Sequence, residues 1–158
     1  MSYIRQKEVI YSKESSPSIQ TISTSYTEIT GSRTELTSLN SSTKFVYRFC
    51  FNIAPNSSLH KWFLHVKLQK STDNFSSDIN DISGASYNVA TDVVDTVDHL
   101  YRLNTAFFVI DNLVGKNQVR LVCRAYHTAN QPYLHAVDYF DGAASSKIFD
   151  PSLIVFEV

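Results

Sequence analysis

Apolar and polar residues alternate along much of this chain, and the alternation predicts β-strands. The clearest run spans 44–53, where apolar side chains recur at every second position. One face of this run carries Phe45, Tyr47, Phe49, Phe51 and Ile53. A second run, 61–69, has the same period, with Trp62, Leu64, Val66 and Leu68 on one face. The turn-rich segment 54–58 lies between the two runs and predicts that they form a β-hairpin.

Weaker patterns predict further strands on both sides of this pair. We expect strands at 19–29, 101–110, 118–126, 133–140 and 149–158, the last running to the final residue. The polar segment 71–90 is predicted to be a long loop with one short strand at 85–89. Segment 3–11 fits a short strand or an N-terminal arm equally well.

These elements together predict an all-β fold. No segment shows a sustained helical period, which argues against alternating strand and helix units. The economical arrangement is an antiparallel sandwich of two packed sheets. A jelly roll of about eight strands fits a chain of 158 residues better than an immunoglobulin-type domain of about 100 residues.

Two of the predicted strands are apolar on both faces. Val46 and Cys50 lie on the second face of the 44–53 run. The closing strand carries Leu153 and Val155 on one face, and on the other Ile154, Phe156 and Val158. A strand that is apolar on both faces needs cover on both. We therefore predict that the closing strand is a central or interface strand, and that Ile154, Phe156 and Val158 contact a neighbouring subunit.

Composition and charge narrow the range of partners. Fourteen Lys and Arg residues against fifteen Asp and Glu give a net charge of −1, which lacks the basic excess of a nucleic-acid-binding protein. No run reaches the roughly 18 apolar residues of a membrane span, and the N-terminal residues lack a signal-peptide core. The sequence therefore predicts a soluble, cytosolically synthesised protein that binds neither nucleic acid nor membrane.

The chain offers little that predicts catalysis or metal binding. Its five histidines do not follow metal-ligand spacing, and Cys50 and Cys123 are expected to be buried free thiols, with a disulfide as the alternative. The triplet Asp92, Asp95 and Asp98 lacks the Gly and Glu of a calcium loop. No Gly-x-Ser-x-Gly motif occurs. We predict no catalytic residue, no cofactor and no metal.

Carbohydrate binding is the alternative to a structural role, and a hydrolase on a β-scaffold is a third and weaker candidate. A carbohydrate-binding module needs exposed aromatic rings beside Asp or Asn side chains. The candidate contacts, within the 133–140 run, are Tyr133, His135 and Asp138.

Several motifs along 30–158 resemble those of one group of proteins. They are Gly31-Ser32, Lys44 with Tyr47, Phe49 and Phe51, Trp62-Phe63, Arg124-Ala-Tyr126, Leu134-His135 with Tyr139-Phe-Asp-Gly142, and Pro151-Ser-Leu-Ile-Val155. In this pattern the sequence resembles jelly-roll virion structural proteins of marine tailed phages and of algal or giant viruses.

The resemblance implies a non-enzymatic virion component: a capsid decoration, minor capsid, fibre or spike protein. It implies a tumour necrosis factor-like jelly roll at 31–158, and homotrimers in which aromatic side chains of one sheet pack about a three-fold axis. The expected partners are further copies of the chain and other virion proteins, such as the major capsid protein. Residues 1–30 would supply the first strands or an anchoring arm. Such a protein is made in the host cytoplasm and located in the virion.

Overall fold

The computed structural model describes the chain at 9–13, 19–54, 62–91, 102–128, 131–137 and 147–158. Thirteen β-strands lie within these residues. Eight of them are five residues or longer: β1 (Val9–Lys13), β4 (Thr34–Ser38), β5 (Phe45–Ala54), β6 (Trp62–Ser71), β7 (Asn80–Thr91), β8 (Arg102–Ile110), β9 (Gly115–Ala125) and β13 (Ser152–Glu157). The short strands are β2 (Gln20–Thr21), β3 (Thr27–Glu28), β10 (Tyr133–Leu134), β11 (Ala136–Val137) and β12 (Lys147–Ile148).

Two antiparallel sheets contain eleven of these strands, as the sequence predicts. Sheet A has the order β1-β13-β5-β8, and β10 and β2 extend it beside the end of β5. Sheet B has the order β7-β6-β9, and both β3 and β4 pair with β9. Strands β11 and β12 pair with each other. The closing strand β13 lies between β1 and β5, which confirms that it is a central strand.

The long strands pair in a nested order. The first pairs with the last, β1 with β13, and the next pairs inward are β4 with β9, β5 with β8, and β6 with β7. Two further pairings join these pairs into sheets: β13 also pairs with β5, and β9 also pairs with β6. Most pairings therefore join residues that are distant in the sequence.

One face of each sheet lines a common apolar core. Sheet A contributes Tyr47, Phe49 and Phe51, and sheet B contributes Leu64, Val66 and Leu68, all without exposed surface. These are the faces that the two-residue period predicts for β5 and β6. Cys123 also faces the core, where burial raises the pKa of its thiol. Cys50 and Cys123 are free thiols, in sheets A and B respectively.

The predicted hairpin between 44–53 and 61–69 is wrong. These segments form β5 and β6, which belong to different sheets. In sheet A the partner of β5 along its full length is β8, and in sheet B the partners of β6 are β7 and β9. A turn-rich segment between two strands fits a crossing between sheets as well as a hairpin, so the local sequence does not distinguish them.

The predicted loop at 71–90 is also wrong at 80–84, because β7 runs for twelve residues from Asn80 to Thr91 and includes the predicted short strand at 85–89. Ile82, Ala85, Tyr87 and Val89 pack on the core. Between Ile82 and Ala85 the two-residue period slips by one position, beside Gly84 at φ +72°. Its partner β6 shows the matching register shift between Lys67 and Gln69. This irregularity hides the alternation on which the sequence prediction depends.

Two predicted strands are interrupted. The run 19–29 divides into β2 in sheet A and β3 in sheet B, so this segment crosses between the sheets. The run 133–140 is broken into β10 and β11 by His135, whose φ is +65°. A single residue in the left-handed region turns the chain out of the extended conformation, and the sequence shows no glycine there to indicate it.

A buried hydrogen bond links the two sheets. The Tyr47 hydroxyl on β5 donates to the carbonyl oxygen of Ser32 at 2.6 Å. Ser32 follows the turn between β3 and β4, and its own hydroxyl donates to the Leu121 carbonyl at 3.2 Å and accepts from the Leu121 amide at 3.1 Å. Burial raises the pKa of Tyr47 well above its ordinary value, so the hydroxyl remains protonated and can donate.

Replacing Tyr47 by Phe is expected to lower the free energy of unfolding by about 1–2 kcal/mol, because the buried Ser32 carbonyl loses its donor. The matched control is Tyr126→Phe, since the Tyr126 side chain is 77% exposed. Urea denaturation measures both variants. If Tyr47→Phe had an effect no larger than that of Tyr126→Phe, the inter-sheet bond would not contribute to stability.

Candidate functional site

The outward surface of sheet A is apolar over much of its area. Strand pairing places Val109, Val46 and Phe156 in one row across β8, β5 and β13, and Phe107, Arg48 and Ile154 in the next. We call this surface the apolar face, and it comprises Val46, Leu103, Phe107, Val109, Ile154 and Phe156. Arg48 is exposed and lies between Phe107 and Ile154 in the second row.

The side chains of β8 are the most exposed part of the apolar face. Leu103 is 61% exposed, Phe107 60% and Val109 55%. They alternate with inward side chains such as Ala106 and Ile110, which have no exposed surface. β8 pairs with β5 along one edge, and no other described strand pairs with it. Three large apolar side chains on the outward side of β8 are therefore exposed to solvent.

The residues predicted to contact a neighbouring subunit lie on or next to this face. Ile154 and Phe156 are half-buried and point outward from β13. Val158 follows the end of β13, is 44% exposed, and its amide donates to the Lys44 carbonyl at 2.9 Å. β8 is not among the strands predicted to contact a neighbouring subunit, although its four adjacent apolar residues, Phe107 to Ile110, indicate that both of its faces are apolar.

The residues predicted to contact a glycan do not form an exposed group. Tyr133 is half-buried in β10, where it pairs with Ala54 and Thr21. His135 has no exposed surface. Asp138 lies outside the described residues. The His135 ring is therefore not available to a ligand at the surface.

His135 is a buried histidine without polar partners for its ring. Its backbone amide donates to the Asn52 carbonyl at 3.0 Å, and its carbonyl accepts from the Phe149 amide at 2.7 Å. Both ring nitrogens are buried and lack a hydrogen-bond partner. Burial lowers the pKa of His135 to about 4, because the protonated ring would lose its hydration. The ring is neutral at neutral pH.

A charged network covers one part of the outer surface of sheet B. The Glu28 carboxylate accepts hydrogen bonds from Nε of Arg33 at 2.9 Å and from Nη1 of Arg120 at 3.1 Å. The Phe75 ring lies under both guanidinium groups, with its centroid 3.9 Å from Cζ of Arg120 and 5.1 Å from Cζ of Arg33. Nearby, the Lys67 ammonium donates to Asp81 at 2.6 Å. These charges are therefore satisfied by one another.

Asp73 organises the loop that carries Phe75. Its carboxylate accepts from the Ser77 hydroxyl at 2.7 Å, the Ser71 hydroxyl at 2.8 Å and the Asp78 amide at 3.0 Å. These donors lower the pKa of Asp73 well below its ordinary value. The two residues that follow, Asn74 and Phe75, have φ values of 60° and 63°. The carboxylate of Asp73 is thus used for loop structure.

Next to this network lies a groove of about 210 Å³. We call it the aromatic groove, and its lining residues are Tyr26, Phe63, His65, Asn88, Arg124 and Tyr126. Strand pairing explains the convergence, because β7, β6 and β9 place Asn88, His65 and Arg124 in one row. The rings of Phe63 and Tyr126 meet edge-to-face, with centroids 5.7 Å apart. The groove is therefore built on three neighbouring strands of one sheet.

The polar groups of the aromatic groove are held by contacts with Tyr26. The hydroxyl of Tyr26 lies 2.7 Å from Nδ1 of His65, while its ring lies 3.9 Å from the Lys67 ammonium and 5.1 Å from Cζ of Arg124. Burial lowers the pKa of His65, and the positive charges of Arg124 and Lys67 lower it further. A neutral His65 ring can accept a hydrogen bond from the Tyr26 hydroxyl at Nδ1.

The described part of the chain contains no group of three or more His, Cys, Asp or Glu side chains placed to hold a metal ion. The triplet Asp92, Asp95 and Asp98 lies outside it. Nor does any helix among the described residues have the length and apolar character needed to cross a membrane.

Comparison with known proteins does not extend this picture. No protein-family model matches the chain, and no curated protein is significantly similar to it.

Proposed function

We propose that this chain is a non-enzymatic structural protein that acts by self-association through the apolar face of sheet A. The observation that supports this most directly is the exposure of Leu103, Phe107 and Val109, each above one half, on a single face. Monomeric soluble proteins rarely expose contiguous apolar patches larger than a few hundred Å². Covering these side chains with an apolar surface removes them from water and stabilises the assembly.

A second copy of the chain is the occupant that the charges of the molecule favour. The net charge is only −1, so copies do not repel one another strongly. Arg48 contributes one positive charge to a face that is otherwise apolar or neutral along its two central rows. These rows therefore offer a strongly charged partner few groups with which to form ion pairs. The same face on another copy offers matching aromatic and aliphatic side chains.

We propose a jelly-roll topology for the sandwich. In a jelly roll, a long antiparallel hairpin is folded over so that the first strand pairs with the last and each inner strand with its counterpart. The nested pairs β1–β13, β4–β9, β5–β8 and β6–β7 follow this scheme. The folding-over would bring β13 beside β5 and β9 beside β6, and both contacts are present.

The oligomer we propose is a homotrimer, and the setting is a virion. Both follow from the resemblance of the sequence to jelly-roll virion proteins, in which aromatic side chains of one sheet pack about a three-fold axis. In this chain Phe107 and Phe156, which both point outward from sheet A, would be the aromatic residues near that axis. The protein would act as a decoration, minor capsid, fibre or spike component and would dock on other virion proteins, such as the major capsid protein. Mass spectrometry of purified particles tests the location.

The substitution Val109→Asp is expected to dissociate the trimer, because it places a carboxylate within the buried surface of each of three subunits. The matched control is Val114→Asp, in the loop between β8 and β9, where the valine is 63% exposed but lies off the apolar face. Size-exclusion chromatography with light scattering should give one chain mass for Val109→Asp and three for Val114→Asp.

Circular dichroism shows whether both variants remain folded. Equal masses for the two folded variants would contradict the use of the apolar face as an interface.

A further inference from the structure

We infer that the aromatic groove of sheet B binds a sugar ring that carries a carboxylate. This site is independent of the proposed self-association, because it lies on the other sheet. It also differs from the glycan contacts expected from the sequence, since none of Tyr133, His135 and Asp138 lines it.

The size of the groove suits one ring. Ligand pockets for drug-sized molecules usually enclose about 300–1,000 Å³. A groove of about 210 Å³ on an open sheet surface is smaller and fits a single pyranose, with the rest of a glycan extending into solvent. Its aromatic walls, Phe63 and Tyr126, are 39% and 77% exposed and meet at 80°. The CH-rich face of a pyranose can pack on such rings.

The positive charge beside the groove favours an anionic ligand. On this part of sheet B, Arg33 and Arg120 share Glu28, and Lys67 is paired with Asp81. Among the described residues, Arg124 forms no salt bridge with a carboxylate, and its guanidinium lies 5.1 Å from the Tyr26 ring. A guanidinium has donors arranged to bind a carboxylate through two parallel hydrogen bonds. Arg124 is therefore the group that would recognise the carboxylate of the sugar.

The remaining polar groups suit the hydroxyls of a sugar. Asn88 lies in the same row as Arg124, one strand beyond His65, and its amide can both donate and accept. Because Nδ1 of His65 is engaged by Tyr26, the ring is fixed with Nε2 as its second polar atom. A carboxylate bound at Arg124 thus has hydroxyl partners on the neighbouring strands and aromatic rings beside it.

The test is a titration of the full chain with 3′-sialyllactose and with lactose, followed by amide chemical shifts. The two probes share the lactose unit and differ by the carboxylated sugar. Trigalacturonate and its methyl ester form a second pair for the other common class of sugar acid. At least one acidic probe is expected to shift amides at 63–65, 88 and 124–126, and its neutral counterpart is expected to bind at least ten-fold more weakly.

Single substitutions test which side chains bind the acidic probe. Arg124→Gln should weaken binding of the acidic probe at least ten-fold, and Tyr126→Ala should weaken it several-fold. Arg48→Gln, on the opposite face, is the matched control and should bind as the wild type does. Val109→Asp should also bind unchanged, which separates this site from self-association.

Three results would overturn the inference. The first is an absence of shifts with either acidic probe at millimolar concentration. The second is equal binding of acidic and neutral probes, and the third is unchanged binding by a folded Arg124→Gln variant.

Discussion

Replacing Phe49 by Ala is expected to lower the free energy of unfolding by about 3–5 kcal/mol. Phe49 has no exposed surface, and its ring stacks on that of Phe51 with centroids 5.6 Å apart. Its position pairs with Leu153 on β13 and with Ala106 on β8, so it lies in the middle of sheet A. Truncation leaves a cavity in the common core of the two sheets, which the surrounding strands can fill only in part.

Phe107→Ala is the matched control, because Phe107 occupies the outward position next to Ala106 and is 60% exposed. In the monomeric Val109→Asp background it should change stability by no more than about 0.5 kcal/mol, since surface substitutions rarely do more. In the wild-type background it should weaken self-association. Chemical denaturation of both variants in the monomeric background measures the difference. Similar losses for Phe49→Ala and Phe107→Ala would contradict the assignment of the two faces of sheet A.

Acid is expected to destabilise the protein through His135, by about 3 kcal/mol between pH 6.5 and pH 4. Burial lowers the pKa of the folded His135 to about 4, whereas an unfolded histidine has a pKa of about 6.5. Above pH 6.5 the ring is neutral in both states and contributes no pH dependence. As the pH falls, the unfolded state takes up a proton that the folded state does not, so stability declines until the folded ring is protonated near pH 4.

The variant that tests this is His135→Asn, because Asn tolerates the left-handed backbone at φ +65° and does not titrate. Its stability should decline much less than that of the wild type between pH 6.5 and pH 4, and the decline that remains is expected from His65, whose pKa is also lowered. The carboxylates Asp73, Asp78 and Asp81 have lowered pKa values, so their contribution is lost mainly at lower pH. Urea denaturation at several pH values gives both profiles. Parallel profiles for wild type and His135→Asn would show that another group causes the acid sensitivity.

The two-residue period was sufficient to predict the regular core strands β5 and β6, but not the irregular core strand β7. For β5 and β6 it identified the inward side chains correctly, because a regular strand with one buried face must alternate. It did not predict their partners. Pairing depends on contacts between residues far apart in the sequence, such as Phe49 with Leu153, and the local sequence around 54–58 carries no information about them.

Where the backbone departs from a regular strand, the sequence prediction was wrong. At Gly84 the period slips within β7, and at His135 a left-handed residue separates β10 from β11. The second irregularity is the harder one to predict, because histidine is not a residue that usually marks a turn. The buried environment of His135 depends on the fold around it and could not be predicted from the local sequence.

The sequence predicts part of the apolar face but not the aromatic groove. Three of the six residues of the apolar face, Val46, Ile154 and Phe156, could be predicted, because a strand that is apolar on both sides indicates a second buried surface. The aromatic groove combines residues from four distant segments, and only the pairing of β7, β6 and β9 brings them together. Phe63 and Tyr126 belong to motifs that predicted the fold but did not predict a binding site.

The most direct test of the proposed self-association is the mass of the wild-type protein in solution. Size-exclusion chromatography with light scattering, repeated across micromolar concentrations, measures it without any substitution. We expect three times the mass of one chain, because Leu103, Phe107 and Val109 would be covered by neighbouring copies in a trimer. A mass of one chain at every concentration would contradict the account.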